Sequence, residues 1–297
     1  MTEPASALIP PASRSEALPG PLRERIAERI AQGSLDIPML PQVAGEILAQ
    51  GSAEGADVRR LSDLLHRDQA LAGHVLRVAN SAAFGGDVRI QSIQQALIRI
   101  GLVQMREIVV TVALHGKVFR SASHQGLTAE LWRHATLTGL FAKEIARQLR
   151  ANVEAAFVCG LLHDVGKPVV LGLLLDVCKE TRHTASHAAC EAILEDFHVQ
   201  VGSLLGERWA LPDDVRQAIA HHHETETPDG FGKFVRMTAL ADVIAYAAAK
   251  SDEEYEVERG LLAGHPLFAA LNLYPDDVEA LFAKRAAILA HAQAFTS

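Results

Sequence analysis

Histidine and aspartate recur through the second half of the sequence at spacings that suit a shared metal site. In chain order the series is His134, His163-Asp164, His198, His221-His222-His223 and Asp242. The gaps from His134 to His163, Asp164 to His198, His198 to His222 and His222 to Asp242 are 29, 34, 24 and 20 residues. Each gap is about one helix plus a turn, so antiparallel helices of a bundle can bring these side chains together.

Imidazole and carboxylate together form the ligand set of borderline divalent metals such as Fe, Mn, Zn and Ni, whereas Ca and Mg prefer oxygen alone. On a helix, neighbouring side chains point about 100° apart. His163 can therefore bind one metal while Asp164 reaches or bridges a second. Two metals held in this way activate a water and clamp the oxygens of a phosphoryl group. We expect one or two divalent ions, Fe or Mn before Zn, held by His134, His163, Asp164, His198, His222, His223 and Asp242.

The segment Gly-Leu-Leu-His-Asp-Val-Gly-Lys at 160–167 surrounds the His-Asp pair with apolar residues, as a buried site requires. A glycine at position 166 would let the chain turn sharply beside the metal. Lys167 could neutralise an anion there. Asp164 and Lys167 are therefore the candidate catalytic residues, although a lone His-Asp dipeptide is common and usually only a surface pair.

The remaining histidines favour a structural or solvated role. His183 and His187 form an i, i+4 pair that could share a metal, but no carboxylate accompanies them in sequence, which favours a solvated face. Three consecutive helical positions span too much arc, so at most two of the run 221–223 can be ligands. The histidines expected to be structural or solvated are His66, His74, His115, His124, His265 and His291.

The elements that must position these residues have helical periodicity throughout. Five of the twelve prolines fall in the first 21 residues, which predicts a flexible lead-in over residues 1–20. Ser92 with Gln95 forms a capping box, and Gly101 can end the helix that follows. No segment shows convincing strand alternation. We expect helices at 22–33, 41–51, 57–67, 69–82, 92–101, 103–118, 128–150, 152–164, 169–180, 186–209, 213–224, 232–250 and 276–294.

The chain is thus predicted to be all-α, a helical bundle of two subdomains. A polar stretch at 120–126 separates a first subdomain at 21–120 from a second at 121–297, which carries the metal-site series and the C-terminal helices. Each subdomain has enough apolar residues for a core, since these make up 49% of the sequence.

Composition limits where the protein works and what it binds. The net charge is −8, with both signs interspersed and no basic stripe, which disfavours a nucleic-acid partner. The three cysteines form no C-x-x-C pair and the N-terminus has no signal-peptide pattern, which indicates a reduced, cytoplasmic protein. The longest apolar runs, at 108–114 and 169–175, are too short to cross a bilayer, so no membrane partner is expected.

The metal-site series resembles the HD superfamily, and its longer form H…HD…H…HH…D resembles the HD-GYP branch associated with cyclic di-GMP hydrolysis. The HD-GYP loop Asp-Gly-x-Gly-Tyr-Pro is incomplete, because Lys233-Phe234 stands in place of Tyr-Pro after the Asp-Gly-Phe-Gly at 229–232. The first half is similar to the HDOD family. That resemblance covers about residues 30–250 and is carried by the segments at 37–43, 67–71, 75–85 and 92–101, of which 76–85 is the most specific.

The HDOD resemblance implies a two-subdomain, all-helical module of bacterial signalling, commonly without demonstrated hydrolase activity. We therefore expect a module that acts through regulatory protein partners, with a metal at the site and a nucleotide as a further candidate ligand. The alternative is a metal-dependent phosphohydrolase acting on a nucleotide or a cyclic dinucleotide such as cyclic di-GMP, since every ligand position is filled. A third interpretation is a metal that only stabilises the bundle.

Overall fold

Regular structure in the described part of the chain is entirely helical. The computed structural model describes residues 20–50, 58–85, 88–119, 125–224 and 232–296, and these contain no strand. The prediction of an all-α fold is confirmed. The helices are α1 (Gly20–Ala31), α2 (Gln42–Gln50), α3 (Val58–Arg67), α4 (Gln69–Ala79), α5 (Ile93–Ile100), α6 (Leu102–Lys117), α7 (Gln125–Gln148), α8 (Val153–Leu162), α9 (Gly166–Thr181), α10 (His187–Arg208), α11 (Asp213–His221), α12 (Lys233–Ala248), α13 (Asp252–Leu262), α14 (Pro266–Ala270), α15 (Pro275–Phe282) and α16 (Arg285–Thr296).

Several helix starts follow the capping signals in the sequence. The Ser92 hydroxyl accepts from the Gln95 backbone N–H at 3.2 Å, and Gly101 ends α5 with a φ of +81°. A positive φ of this size is costly for residues with a Cβ, which explains glycine at this position. In α8, the Asn152 side chain accepts from the backbone N–H groups of Glu154 and Ala155. These caps fix where the helices begin, and so where their far ends lie.

The C-terminal region differs from the prediction of one helix over 276–294. The structure has two helices there, because α15 ends at Phe282 and α16 begins at Arg285. Helices α13 and α14 were not predicted, although Ser251 and Glu254 form a capping box that opens α13. The lead-in at 1–20 lies outside the described residues except for Gly20, which starts α1. The predicted subdomain boundary also falls on residues that are not described, 120–124.

Two groups of helices share one continuous hydrophobic core. In the first half, α6 packs against α2, α4 and α5. In the second, α7 packs against α8, α12 and α16, while α10 packs against α9 and α11. Helix α6 also contacts α8, which joins the two groups. The core is thus centred on the helices that carry the histidine and aspartate series.

Glycines allow two pairs of these helices to approach very closely. A Cβ atom on Gly160 of α8 would lie 2.7 Å from the Thr138 carbonyl oxygen of α7. A Cβ atom on Gly166 would lie 2.0 Å from the His198 carbonyl oxygen of α10. Residues 163–165 form the turn between α8 and α9, but Gly166 is not among the described glycines with positive φ, so this turn does not use a left-handed glycine. The function of Gly166 is to let two backbones meet beside the site.

One apolar stretch in the described residues, Val153–Thr181, has the length and hydropathy of a membrane span. It comprises α8 and α9, and 78% of its most apolar window is buried inside the protein. Such burial is typical of the core of a soluble protein, in which apolar helices are covered by other helices.

Candidate metal centre

Five helices bring the predicted ligands to one place in the second half. His134 lies in the middle of α7, and Asp242 lies in the middle of α12. His163 caps the C-terminal end of α8 and Asp164 follows it. The other three imidazoles come from α10, which carries His198, and from the end of α11, where His222 is the C-cap and His223 follows. Since α8 and α11 both end here, their negative dipole ends favour a cation between them.

Asp164 lies between two groups of ligands that share it. The first pocket comprises His134, His163, Asp164 and Asp242, and the second comprises Asp164, His198, His222 and His223. Asp164 Oδ2 faces the first pocket, 3.3 Å from His163 Nε2 and 3.9 Å from His134 Nε2. Asp164 Oδ1 faces the second pocket, 3.3 Å from His198 Nε2 and 3.5 Å from His222 Nε2. One carboxylate can therefore bridge two ions.

Asp242 completes the first pocket from the opposite side. Its Oδ1 lies 2.8 Å from His134 Nε2 and 3.6 Å from His163 Nε2. His134 donates to Asp242, which holds both side chains in place. The pocket thus offers two imidazole nitrogens and two carboxylates within a few ångströms.

Backbone carbonyls orient three of the imidazoles. The Nδ1 atom of His163 lies 2.7 Å from the Gly160 carbonyl oxygen, and that of His198 lies 2.9 Å from the Leu194 oxygen. His222 Nδ1 lies 3.1 Å from the Ala218 oxygen. A carbonyl only accepts, so Nδ1 must carry the proton and donate. Whenever the ring is neutral, its Nε2 lone pair then points into the centre, as in metal-binding histidines.

The buried polar atoms at the centre are incompletely satisfied without a cation. His163, Asp164, His198 and His222 are all buried. His163 Nε2 and Asp164 Oδ1 have no hydrogen-bond partner of good geometry. Buried polar atoms without partners are rare, because each costs the free energy of desolvation. Lone pairs that converge on one point are satisfied by a metal ion, so these residues fit a divalent metal.

The charges of the first pocket depend on its carboxylates. Burial opposes a charge on His163, but Asp164 and Asp242 outweigh it and raise the pKa of His163 to about 10. Burial also opposes ionisation of Asp164, yet His163 and Lys167 hold the pKa of this carboxyl well below its usual range. At neutral pH the metal-free first pocket therefore contains a protonated His163, and a metal must displace that proton.

The second pocket is ready to bind metal without losing a proton from two of its rings. Burial, together with the neighbouring His222 and His198, lowers the pKa of His223 to about 4. Burial likewise lowers the pKa of His198. Neutral imidazole is the ligand form. The Nε2 atoms of His198 and His223 lie 2.9 Å apart, so both face the same point.

Lys167 lies at the edge of the centre in the first turn of α9. Its Nζ is 2.7 Å from Asp164 Oδ2 and 2.7 Å from Glu195 Oε1. These two carboxylates raise the pKa of Lys167 above its usual value despite its burial. Glu195 was missed from the sequence, although it precedes His198 by three residues and so lies on the same face of α10. The positive charge of Lys167, which was expected to neutralise an anion, is thus already paired with two carboxylates of the protein.

The histidines outside this set lie elsewhere or face outward. His221 bonds to Glu224 at 2.8 Å, which leaves His222 and His223 as the two members of the run that face the centre. His183 precedes α10, so it does not form a helical pair with His187. The expectation that no carboxylate lies near these two histidines is also wrong, because His187 lies 3.5 Å from Glu191 and 4.0 Å from Glu130.

The other histidines expected to be structural show varied contacts. His265 caps α14, and His66 contacts the Ser62 carbonyl oxygen at 2.6 Å. His115 stacks on Trp132 with 4.8 Å between ring centroids. His291 packs on Phe84, with 4.9 Å between ring centroids. The ring of His74 lies edge-on to His115, and His124 is outside the described residues.

Comparison with known proteins assigns much of the chain to one family model. The model of the HDOD domain matches residues 37–225. A crystal structure of an HDOD domain protein of unknown function from Geobacter sulfurreducens superposes with a TM-score of 0.71 at 25% identity, covering 91% of this chain and 97% of that one. The family model spans α2 to α11 and so includes four of the five helices that hold the centre.

Two curated relatives are longer than this chain. An uncharacterized protein of Treponema pallidum (strain Nichols) is 30% identical over 253 residues, covering 80% of this chain and 48% of that protein. Ribonuclease Y of Deinococcus radiodurans is 29% identical over 156 residues, covering 52% of this chain and 22% of that protein. The chain thus spans about half the length of the first relative and about a fifth of the second.

Proposed function

The chain belongs to the HDOD domain family, and from this premise we propose that it is a bacterial signalling module that binds divalent metal and acts through protein partners. The observation that carries the metal part is the position of Asp164, whose two oxygens face separate groups of imidazoles at 3.3 Å. The protein-partner part is supported by the family.

The residues that would hold the metal are those of the two pockets. His134, His163 and Asp242 would bind on one side of Asp164, and the three imidazoles of α10 and α11 on the other. A bound metal would supply Lewis acidity and lower the pKa of a water. Mixed imidazole and carboxylate ligands suit Fe or Mn, with Zn less favoured.

The ion pairs of Lys167 favour metal binding over phosphodiester hydrolysis as the function of the centre. Hydrolysis of a phosphodiester needs an open coordination position and groups that neutralise the developing negative charge. Lys167 is instead paired with Asp164 and Glu195, each at 2.7 Å. Glu195 is also half exposed at the edge of the centre, where its charge would repel an anionic substrate. These carboxylates favour a module that holds metal without rapid hydrolysis.

A second candidate is a metal-dependent phosphohydrolase acting on a nucleotide or a cyclic dinucleotide. Both pockets have a full set of ligands, and a shared carboxylate is the arrangement that two-metal hydrolysis uses. The similarity to a ribonuclease adds support, although it covers only half of this chain. In such a reaction Asp164 would bridge the metals, and Lys167 would have to leave Glu195 to meet the substrate.

Metal analysis of anaerobically purified protein tests the proposal. We expect about two equivalents of Fe or Mn in the wild type and almost none in Asp164→Ala, because both pockets lose their shared ligand. Circular dichroism of both proteins checks that the helices remain. Equal, sub-stoichiometric metal in the two proteins would refute the metal site.

Turnover and pull-down assays separate the two candidate functions. The loaded protein is incubated with bis-p-nitrophenyl phosphate and with cyclic di-GMP, with Asp164→Ala as the control. Metal-dependent turnover that Asp164→Ala abolishes would establish the hydrolase. If turnover is absent, the regulatory proposal predicts that the loaded wild type retains a specific protein from its native cell, and Asp164→Ala shows whether retention requires metal.

A further inference from the structure

A cavity of about 190 Å³ lies where the first-half helices meet the second half, away from the metal centre. Helices α2 and α6 form one side, and the N-terminal ends of α8 and α11 form the other. The cavity residues of α8 lie between positions 154 and 158, which is about 8 to 14 Å along the helix axis from His163 at its end. The walls are mainly apolar and include Ile47, Val110, Phe157, Val158 and Val215.

A buried carboxylate gives this apolar cavity one polar group with unused capacity. Glu107 lines the cavity and is only 5% exposed. Its Oε2 accepts from Lys143 Nζ at 2.6 Å and from the Gln104 amide at 3.3 Å. Its Oε1 has no hydrogen-bond partner. A buried acceptor without a partner loses the free energy of its hydration and gains nothing in return, which favours a donor at this atom.

The buried charges around the cavity are balanced, and the further carboxylate in its lining, Asp214, is exposed to solvent. Lys143 provides the positive charge that Glu107 needs. Arg106 donates to the Ile47 carbonyl oxygen at 3.1 Å and lies 3.7 Å from Glu154. An additional cation would have no unmatched carboxylate in the interior, and an additional anion would face Glu107. A neutral molecule with a hydrogen-bond donor is therefore the ligand that best fits Glu107 Oε1.

We propose that this cavity binds a small, neutral aromatic molecule with one N–H or O–H group. The ring would pack against Phe157 and Val110, and the donor would reach Glu107 Oε1. A dry apolar cavity of about 150 Å³ holds benzene, so a cavity of this size accommodates a single ring or a compact fused ring. Indole has the required shape and a single donor.

Calorimetric titration of the 297-residue protein with indole and with benzothiophene tests the donor. The two molecules have similar fused rings, but benzothiophene has no donor. We expect indole to bind at least tenfold more tightly, because a hydrogen bond to a charged acceptor is worth about that factor or more. Equal affinity for both would contradict the role of Glu107, and absence of indole binding at millimolar concentration would refute the proposal.

Two substitutions on one helix test the location. Val110→Phe fills the cavity from α6 and should weaken indole binding at least tenfold. Val103→Phe adds the same ring at a position of α6 that is 45% exposed, and should leave binding unchanged. If Val110→Phe does not fold, Ala155→Leu fills the cavity from α8 instead. Unchanged binding in a folded cavity-filling variant would place indole elsewhere and overturn the proposal.

Metal content is measured on the same proteins. We expect it to equal that of the wild type in Val103→Phe and Val110→Phe, because neither residue lies at the centre. If indole does not bind while the metal content is normal, only the proposed ligand of the cavity is refuted. If metal does not bind while the affinity for indole is normal, only the proposed metal-binding function is refuted.

Discussion

The backbone of Gly166 lies so close to the carbonyl group of His198 that a Cβ atom at position 166 would sit 2.0 Å from the oxygen. The same atom would lie 2.7 Å from the Gly202 backbone nitrogen. This contact sets the distance between α9 and α10, and hence between Asp164 and His198, two ligands of the second pocket.

Gly166→Ala should therefore damage the centre as well as the fold. The added methyl group must push backbone away from backbone, and we expect a loss of about 2–4 kcal/mol in the free energy of unfolding with weaker metal binding. Urea unfolding and metal analysis measure the two effects. Gly172→Ala is the control on the same helix, since its Cβ meets nothing within 4 Å, and it should gain up to about 1 kcal/mol. A neutral effect of Gly166→Ala would show that the helices can separate without cost.

Single-ligand substitutions should distinguish the two pockets. His134→Ala removes a ligand of the first pocket only, and His198→Ala removes one of the second pocket only. We expect each to retain about one metal equivalent, whereas Asp164→Ala loses both. His183→Ala is the control, because this ring is exposed, bonds to the Thr181 carbonyl oxygen and belongs to neither pocket, so the metal content should not change. Complete loss in both single variants would indicate one indivisible site.

Metal binding to the first pocket should release a proton. The pKa of His163 in the metal-free protein is about 10, so its ring is protonated across the neutral range and must lose a proton to become a ligand. Affinity should rise about tenfold per pH unit between pH 6 and 9, because one proton is displaced per ion. Calorimetry of His198→Ala, in two buffers with different ionisation enthalpies, counts the proton directly. Heats that do not depend on the buffer would contradict a protonated His163.

The buried pair of Glu107 and Lys143 should be costly to break from one side. Lys143→Met leaves a buried carboxylate without its cation, and we expect a loss of about 3–5 kcal/mol at pH 8. The double variant Glu107→Leu/Lys143→Met should lose less. Urea unfolding compares them, and an equal loss in both would mean that charge is not the cause.

The pH dependence of Lys143→Met has a defined sign. Burial raises the pKa of Glu107 above its ordinary value, and removing the cation raises it further. The folded state then binds a proton that the unfolded chain does not, so stability is present at low pH and is lost as pH rises through the folded pKa. The deficit of Lys143→Met should shrink as pH falls from 8 to 5. The double variant, which lacks the carboxyl group, should not show this change.

Asn80 should stabilise the connection between α4 and α5. Its side chain donates to the carbonyl oxygens of Leu76 and Ile90, both at 2.8 Å, and accepts from the Ile90 N–H at 2.7 Å. Ile90 is buried, so Asn80→Ala should cost about 2–3 kcal/mol in urea unfolding. Ser81→Ala is the neighbouring control, because the Ser81 hydroxyl has no partner and its removal should be nearly neutral. Similar losses in both would exclude a specific role for the amide.

Much of the fold follows from local signals in the sequence. The helix predicted at 186–209 is α10 within one residue at each end, because Ser186 caps its start. The predicted helix over 69–82 ends at Ala79, since the Asn80 side chain bonds to Ile90 instead of continuing the helix. That contact joins residues ten positions apart, and helical periodicity carries no information about it.

The candidate site could be predicted in part. Residue type and spacing were enough to group the seven predicted ligands, and the structure brings all of them together. The contact of Glu195 with the centre was not predicted, because its sequence context does not distinguish it from other glutamates on exposed helix faces. The close backbone contact at Gly166 was not predicted, since only the packing of α9 on α10 shows what lies opposite this residue. The cavity at Glu107 depends on four helices from both halves, and no single segment indicates it.

The carbonyl groups that orient His163, His198 and His222 belong to the same helices as the rings, three or four residues earlier in the chain. Each ring is thus oriented by its own helix, independently of the neighbouring helices. Docking of the helices then brings together rings that their own backbone carbonyls already orient. Chelation should consequently empty the centre without unfolding the protein, and one metal should exchange for another on a scaffold that does not change.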